Sequence, residues 1–219
     1  EIPIVVDRVT KYYKANWQRK TVLDKVSISF DTKRSYGLLG KNGAGKSTFL
    51  RLIAGTEAPN QGRIHRYVQP SWPLGFAGGF HPLMTGRENI RFLARAYGAD
   101  PRSVVEFVDD FSELGRDLDV AVKTYSSGMM SRLAFAASMA IEFDFYLVDE
   151  ITAVGDSRFQ LRCREAFAKR RETSGMIMVS HSVGTIRDYC DTGMLLMKGK
   201  LHVYDDLDEA IEIYKKTLE

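Results

Sequence analysis

The feature that most restricts this chain is the run Gly40, Lys41, Asn42, Gly43, Ala44, Gly45, Lys46, Ser47, which follows the apolar residues 36–39 and opens a helical stretch from Thr48. It fits the phosphate-loop pattern G-x-x-x-x-G-K-[ST]. A polyphosphate is gripped mainly by converging backbone amides, and side chains at the glycine positions would block that approach. The helix that follows points its N-terminal amides and positive dipole end at the same anion. Lys46 adds a point charge for the outer phosphates and Ser47 a hydroxyl for magnesium, so the loop predicts a magnesium nucleotide site.

With 219 residues, 44% of them hydrophobic and 27% charged, the chain has enough material for a large core and no sign of long disorder. The net charge of +3 decides little, because the basic residues are spread along the chain. The densest group, 162–171, alternates with Glu165 and apolar positions and reads as a solvated helix face; no nucleic-acid partner is expected. Cys163 and Cys190 have no metal-ligand spacing and read as small core residues. No stretch approaches the ~20 apolar residues of a membrane helix, and no signal-peptide pattern opens the chain.

Along the chain, residues 2–9 and 22–30 read as strands of an antiparallel sheet, the second with Val26, Ile28 and Phe30 on one face, and 14–20 as the hairpin loop or connector between them. After the phosphate loop, Phe49, Leu52 and Ile53 share a helical face that Gly55 ends. Residues 71–82 hold Pro73, Gly75, Gly78, Gly79 and Pro82, which predicts a loop without regular structure. Helices follow over 87–97 and 101–114, the latter with Val104, Phe107, Val108 and Phe111 inward. Then come a polar loop at 125–128, a small-residue helix over 129–141, a buried strand at 145–148 and a basic amphipathic helix carrying Phe159, Cys163, Ala166 and Phe167. A second buried strand at 176–179, a hairpin at 194–204 and a terminal helix capped by Asp206 complete the order.

Several apolar runs thus end in polar loops, and in open parallel sheets ligands sit at the carboxyl ends of the strands. Asp149 is suited to hold magnesium directly or through water, and Glu150 beside it to polarise the attacking water. His181, at the tip of the strand 176–179, reaches the terminal phosphate and that water as donor or positioner.

Taken together, the phosphate loop, Tyr-Ser-Ser-Gly-Met at 125–129, Tyr-Leu-Val-Asp-Glu at 146–150, Ala-Val-Gly-Asp at 153–156 and the histidine of Val-Ser-His-Ser resemble the nucleotide-binding subunit of ABC transporters over nearly the whole chain. The resemblance implies an α/β fold: a RecA-like P-loop NTPase core with an antiparallel β subdomain and an inserted helical subdomain. It divides a single domain, 1–219, into core and β subdomain at 1–85 and 143–219, and a helical part with the signature loop at 86–142. It further implies that Ser126, Ser127 and Gly128 complete the ATP site of an opposite subunit, that Tyr13 stacks on adenine, with Tyr12 as the fallback, and that Asp156 faces the partner across a homodimer. Two copies would sandwich two ATPs with magnesium.

One departure stands out. The family usually carries a glutamine that senses magnesium where Gly75 or Phe76 stands here, so the resemblance does not carry that role over. The segment 79–90, GFHPLMTGRENI, instead resembles the branch that exports bacterial surface polysaccharides, and Trp72 to Gly75 with TYSSGM at 124–129 look closest to the capsular-polysaccharide export ATPases. That branch implies a separate integral-membrane permease, a place on the cytoplasmic face of the inner membrane, and indirect work with periplasmic and outer-membrane components. Many O-antigen exporters of this branch carry a further carbohydrate-binding domain, for which no room is expected in a chain that runs to Glu219. O-antigen or teichoic-acid export, and a soluble ATPase acting on DNA or ribosomes, are the alternatives.

Overall fold

The computed structural model describes residues 3–74, 79–149 and 156–219. The chain divides into two compact units: Glu1–Pro73, Phe143–Glu150 and Arg171–Glu219 form the first, Leu74–Glu142 and Ile151–Arg170 the second.

The first unit opens with β1 (Ile4–Ala15) and β2 (Gln18–Phe30), an antiparallel pair joined by Asn16 and Trp17. Both turn residues have positive φ, 50° and 66°, the type I′ geometry that matches strand twist in a two-residue hairpin. The expected loop over 14–20 is therefore mostly strand, because a turn of two residues suffices. With β3 (Ser35–Leu39), α1 (Lys46–Ala54) and β4 (Gln61–Arg66) the chain returns, β4 pairing with β1 to give a three-stranded sheet in the order β2-β1-β4.

The second sheet contains β5 (Pro70–Leu74), β6 (Phe145–Asp149), β7 (Gly175–Val179), β8 (Thr192–Met197) and β9 (Lys200–Tyr204), in the order β5-β6-β7-β3-β8-β9. Here the structure corrects the reading of 71–82 as wholly irregular: its first residues form an edge strand. An edge position needs hydrogen bonds on one side only, which is why Pro70 and Pro73 are tolerated. The hydroxyl of Ser71, itself buried, accepts from the amide of Leu147 at 2.9 Å. Strands β3, β6, β7 and β8 run parallel and are buried over nearly their whole length, as their continuous apolar sequences require. The core of this unit joins both sheets, with Val6, Phe30, Phe49, Leu52, Leu147 and Ile177 in one cluster.

The second unit holds α2 (Gly86–Ala96), α3 (Pro101–Ser112), α4 (Ser127–Ala140) and nearly all of α5 (Ser157–Arg171). In α3, Val104, Val105, Val108 and Phe111 are buried while Phe107 lies at the margin, stacked on Phe111 with centroids 5.4 Å apart. Phe111 also stacks on Phe135 and meets Phe159 edge-on at 6.0 and 5.8 Å, which joins α3, α4 and α5 into one core. Glu113 ends α3 with a φ of 56° and pairs with Arg132, Arg158 and Arg162. The first unit closes with α6 (Val183–Tyr189) and α7 (Leu207–Leu218). Burial pushes the thiols of Cys163 and Cys190 up to about 12, so both are inert packing residues. Among the described residues no helix is long and apolar enough to cross a membrane.

Candidate functional site

The phosphate loop connects β3 to α1, and its shape follows from its glycines. Gly43 and Gly45 hold φ of 80° and 106°, a region that costs an L-residue about 1–2 kcal/mol. A Cβ on Gly40 would fall 2.8 Å from the carbonyl oxygen of Leu196, and one on Gly45 would fall 2.1 Å from Cγ1 of Val22. Inside the loop, the Ala44 amide donates to the Lys41 carbonyl at 3.0 Å. The Lys46 ammonium folds back onto the carbonyls of Gly40 and, at 3.2 Å, Lys41. Lys41, Asn42 and Ser47 are exposed; Thr48 is buried.

The start of α1 differs from the other helix starts. Side chains of Thr85, Asp100, Ser126, Ser182 and Asp206 accept amide hydrogens at the starts of α2, α3, α4, α6 and α7, and Asp156 accepts from the Phe159 amide at 2.9 Å in α5. Helix α1 begins on Gly45 with no side-chain cap and no acid in its first turn. Its leading amides, with the dipole behind them and Lys46 beside them, suit a polyphosphate, whose oxygens supply the missing acceptors. The residues present therefore fit the group that the loop pattern implies.

Sheet register brings the other candidates alongside. Leu38 on β3 is level with Val179 on β7, and Val179 with Asp149 on β6. The ends of three parallel strands are thus aligned: β3 leads at once into Gly40, β6 ends on the half-buried Asp149, and β7 leads through Ser180 to the exposed His181. Glu150, Gly75 and Phe76 lie outside the described residues, as does most of the 153–156 motif apart from Asp156.

Tyr13 is partly exposed on β1. Its hydroxyl donates to a carboxylate oxygen of Glu57 and lies 3.4 Å from Oγ1 of Thr48. Tyr12 instead stacks under the Arg19 guanidinium at 4.0 Å from the ring centroid. Burial raises the Glu57 carboxyl, but bonds from Tyr13, Lys11 and Arg51 outweigh it and hold the group below the usual carboxylate range. Sequence reasoning passed over Glu57, since nothing in its neighbours marks it; only the fold brings it to Tyr13.

In the second unit, Ser126, Ser127 and Gly128 are exposed at the start of α4, where Ser126 Oγ accepts from the Met129 amide at 3.1 Å. Asn89, almost fully buried on α2, orders the segment after Gly79. Its carbonyl oxygen accepts from the His81 amide at 2.7 Å, and its amide nitrogen donates to the carbonyls of His81, Met84 and Thr85 at 3.1, 3.3 and 3.0 Å. A buried asparagine on an otherwise amphipathic helix was the sequence signal that could have found it.

Residues 23–153 match the family model described as ABC transporter. The capsule polysaccharide export ATP-binding protein CtrD of Neisseria meningitidis serogroup B is 48% identical, covering 96% of this chain and 98% of its own. The polysialic acid transport ATP-binding protein KpsT of Escherichia coli is 48% identical over 98% of this chain and 100% of its own. The ATP-binding protein BexA of Haemophilus influenzae is 47% identical over 98% and 99%. Among solved structures, an ATP-binding subunit of an ABC transporter superposes with a TM-score of 0.80 at 22% identity, covering 97% of this chain and 99% of the other. The cassette MJ0796, in a dimeric post-hydrolysis state with ADP and Pi, superposes with 0.77 at 20% identity over 91% and 96%. The chain has the fold of these cassettes and belongs to the ABC transporter family.

Proposed function

We propose that this chain is the ATP-binding and ATP-hydrolysing subunit that drives export of a capsular polysaccharide through a separate membrane-embedded permease. It would act as a homodimer attached to the inner face of the membrane. The observation that carries the catalytic part is the start of α1, uncapped and flanked by Lys46, at the end of the strand level with Asp149 and the β7 tip. Support for the transported polymer comes from the relatives CtrD and KpsT, matched along almost their full length.

In this reading the amides of residues 43–48 hold the phosphates, and Lys46 exchanges the carbonyls of Gly40 and Lys41 for phosphate oxygens. Ser47 and Asp149 would hold magnesium, which would supply positive charge to neutralise the phosphates. Glu150, next after Asp149 in the sequence, orients water, and His181 donates toward the terminal phosphate. Tyr13 stacks on adenine. Ser126, Ser127 and Gly128 face the nucleotide held by a second copy, with Asp156 near the same boundary. Closing and reopening of that pair moves the permease.

The test uses the chain with its own permease in an encapsulated bacterium lacking its native export ATPase, together with ATPase assays of the purified chain. Surface glycan should return with the wild type and not with Lys46→Ala, whose hydrolysis should fall by about 100-fold or more. Hydrolysis by Lys46→Ala at the wild-type rate would overturn the site, and absence of surface glycan with an active ATPase would overturn the cargo.

A further inference from the structure

On β1, Lys11 and Tyr13 alternate onto one face, and on α1, Thr48 and Arg51 stand one turn apart. The carboxylate of Glu57, which follows α1 after the turn at Gly55, gathers three of these four. Lys11 Nζ lies 3.0 Å from one oxygen, the Tyr13 hydroxyl donates to the same oxygen, and Arg51 Nε lies 3.0 Å from the other. Arg51 also donates to Thr48 Oγ1 at 3.2 Å, and that oxygen is the second neighbour of the Tyr13 hydroxyl. The Glu57 and Lys11 side chains are only 19% and 11% exposed, so the pair is shielded from water.

The brace between strand and helix does not need the tyrosine. Lys11 and Arg51 already balance the carboxylate, and Lys11 also donates to the Ala58 carbonyl at 2.8 Å. What the phenol bond adds is control of the ring. A tyrosine ring has two free torsions: fixing its oxygen and its Cα sets the first, while the second, about the axis through Cβ and the oxygen, is set by what lies on the ring faces. Lys11 Nζ stands 5.1 Å from the centroid over the ring. One face of the ring is thereby taken by an ammonium, and the residue still keeps 38% of its surface exposed for a flat partner.

We propose that Glu57 is a positioning residue for the nucleotide base: by holding the Tyr13 hydroxyl and the Lys11 ammonium, it sets the plane of the ring on which adenine stacks. The proposal rests on the reading of Tyr13 as the base platform. It also ties the two ends of the nucleotide together, since the ring is registered to Thr48, the residue after Ser47.

The experiment compares the binding of ATP with that of inorganic tripolyphosphate, which reaches the phosphate loop but has no base. The full chain is measured by calorimetry as wild type, Glu57→Ala, Glu57→Gln, Tyr13→Phe, Tyr13→Ala and the double variant Glu57→Ala/Tyr13→Phe. Glu57→Ala and Tyr13→Phe should each weaken ATP by about 3–10-fold, the scale of one freed aromatic side chain, with tripolyphosphate binding unchanged. The double variant should bind no more weakly than the worse single one, because both remove the same bond. Glu57→Gln, whose carbonyl still accepts from the phenol, should recover most of the affinity. Equal weakening of ATP and tripolyphosphate in Glu57→Ala would overturn the proposal in favour of damage to α1. If Tyr13→Ala weakens ATP while Glu57→Ala and Tyr13→Phe both bind as wild type, the base platform stands and the positioning role falls. If Tyr13→Ala binds ATP as wild type, the platform itself is wrong. Tyr13→Phe removes no charge, so it keeps the test open should Glu57→Ala fold poorly.

Discussion

Two helix starts in this molecule are built to opposite rules. At α1, Gly45 is pressed against Val22 and held at a φ of 106°, yet the amides behind it have no side-chain cap. At α4, Ser126 supplies the cap, while a Cβ on Gly128 would come no nearer than 3.9 Å to Ser126 Oγ, an ordinary contact. The first start is sterically complete and chemically open; the second is chemically complete and sterically open. The difference separates two reasons for a glycine. Gly45 is required by the chain's own packing, whereas nothing among the described residues requires Gly128. A demand for a small residue there would have to come from outside the fold, as it would if α4 faced a second copy.

That contrast can be broken by substitution. Gly45→Ala should have the largest effect: backbone strain and overpacking against Val22 together cost about 2–5 kcal/mol, and ATP affinity should collapse. Melting curves and ATP titration report both; a normally stable, ATP-binding Gly45→Ala would remove the internal constraint. Gly128→Ala should leave the melting temperature within about 2 °C of wild type and leave ATP binding by the single chain intact. Its hydrolysis should nevertheless fall on the order of 10–100-fold, because a methyl group displaces whatever closes on the loop. Wild-type turnover in Gly128→Ala would mean that nothing packs there. Ser126→Ala loses the bond to the Met129 amide and about 1 kcal/mol of cap energy, a loss within the folded chain that is separate from the hydroxyl's proposed role toward a second copy's nucleotide. That corresponds to a drop of roughly 2–4 °C in melting temperature, and Ser126→Asp, which still caps, should recover it.

The same distinction governs what could be read from the sequence. Strands β3, β6 and β7 were legible because a strand covered on both faces must be apolar throughout, and the phosphate loop because glycine spacing is itself the constraint. Strand β4, Gln-Gly-Arg-Ile-His-Arg, is mostly exposed and shows no alternation, so it left no signal. Strand β5 was hidden by its prolines, whose meaning changes at a sheet edge. Phe107 fits the helical period of α3, but only packing decides that Val105 takes the interior place. In the site, Lys46, Ser47, Asp149 and His181 announce themselves by motif. Glu57 and Val22 do not, because one acts through a hydroxyl 44 positions away in the chain and the other through its proximity to Gly45.

The pairing of β1 has a kinetic consequence. Strand β4 accompanies it only from Ile4 to Thr10, and the Asn60 side chain accepts the Tyr12 amide at 2.8 Å. From Tyr13 to Lys20 the hairpin is a two-stranded ribbon, with its indole, Trp17, fully in solvent. Ribbons of this kind open at far lower free energy than three-stranded sheet. Amide hydrogens of the ribbon should exchange with deuterium well before those of Val5 and Val6, and nucleotide should slow the ribbon most. The ribbon beyond the aromatic platform would then open between turnovers, while Glu57 holds Tyr13 at its base.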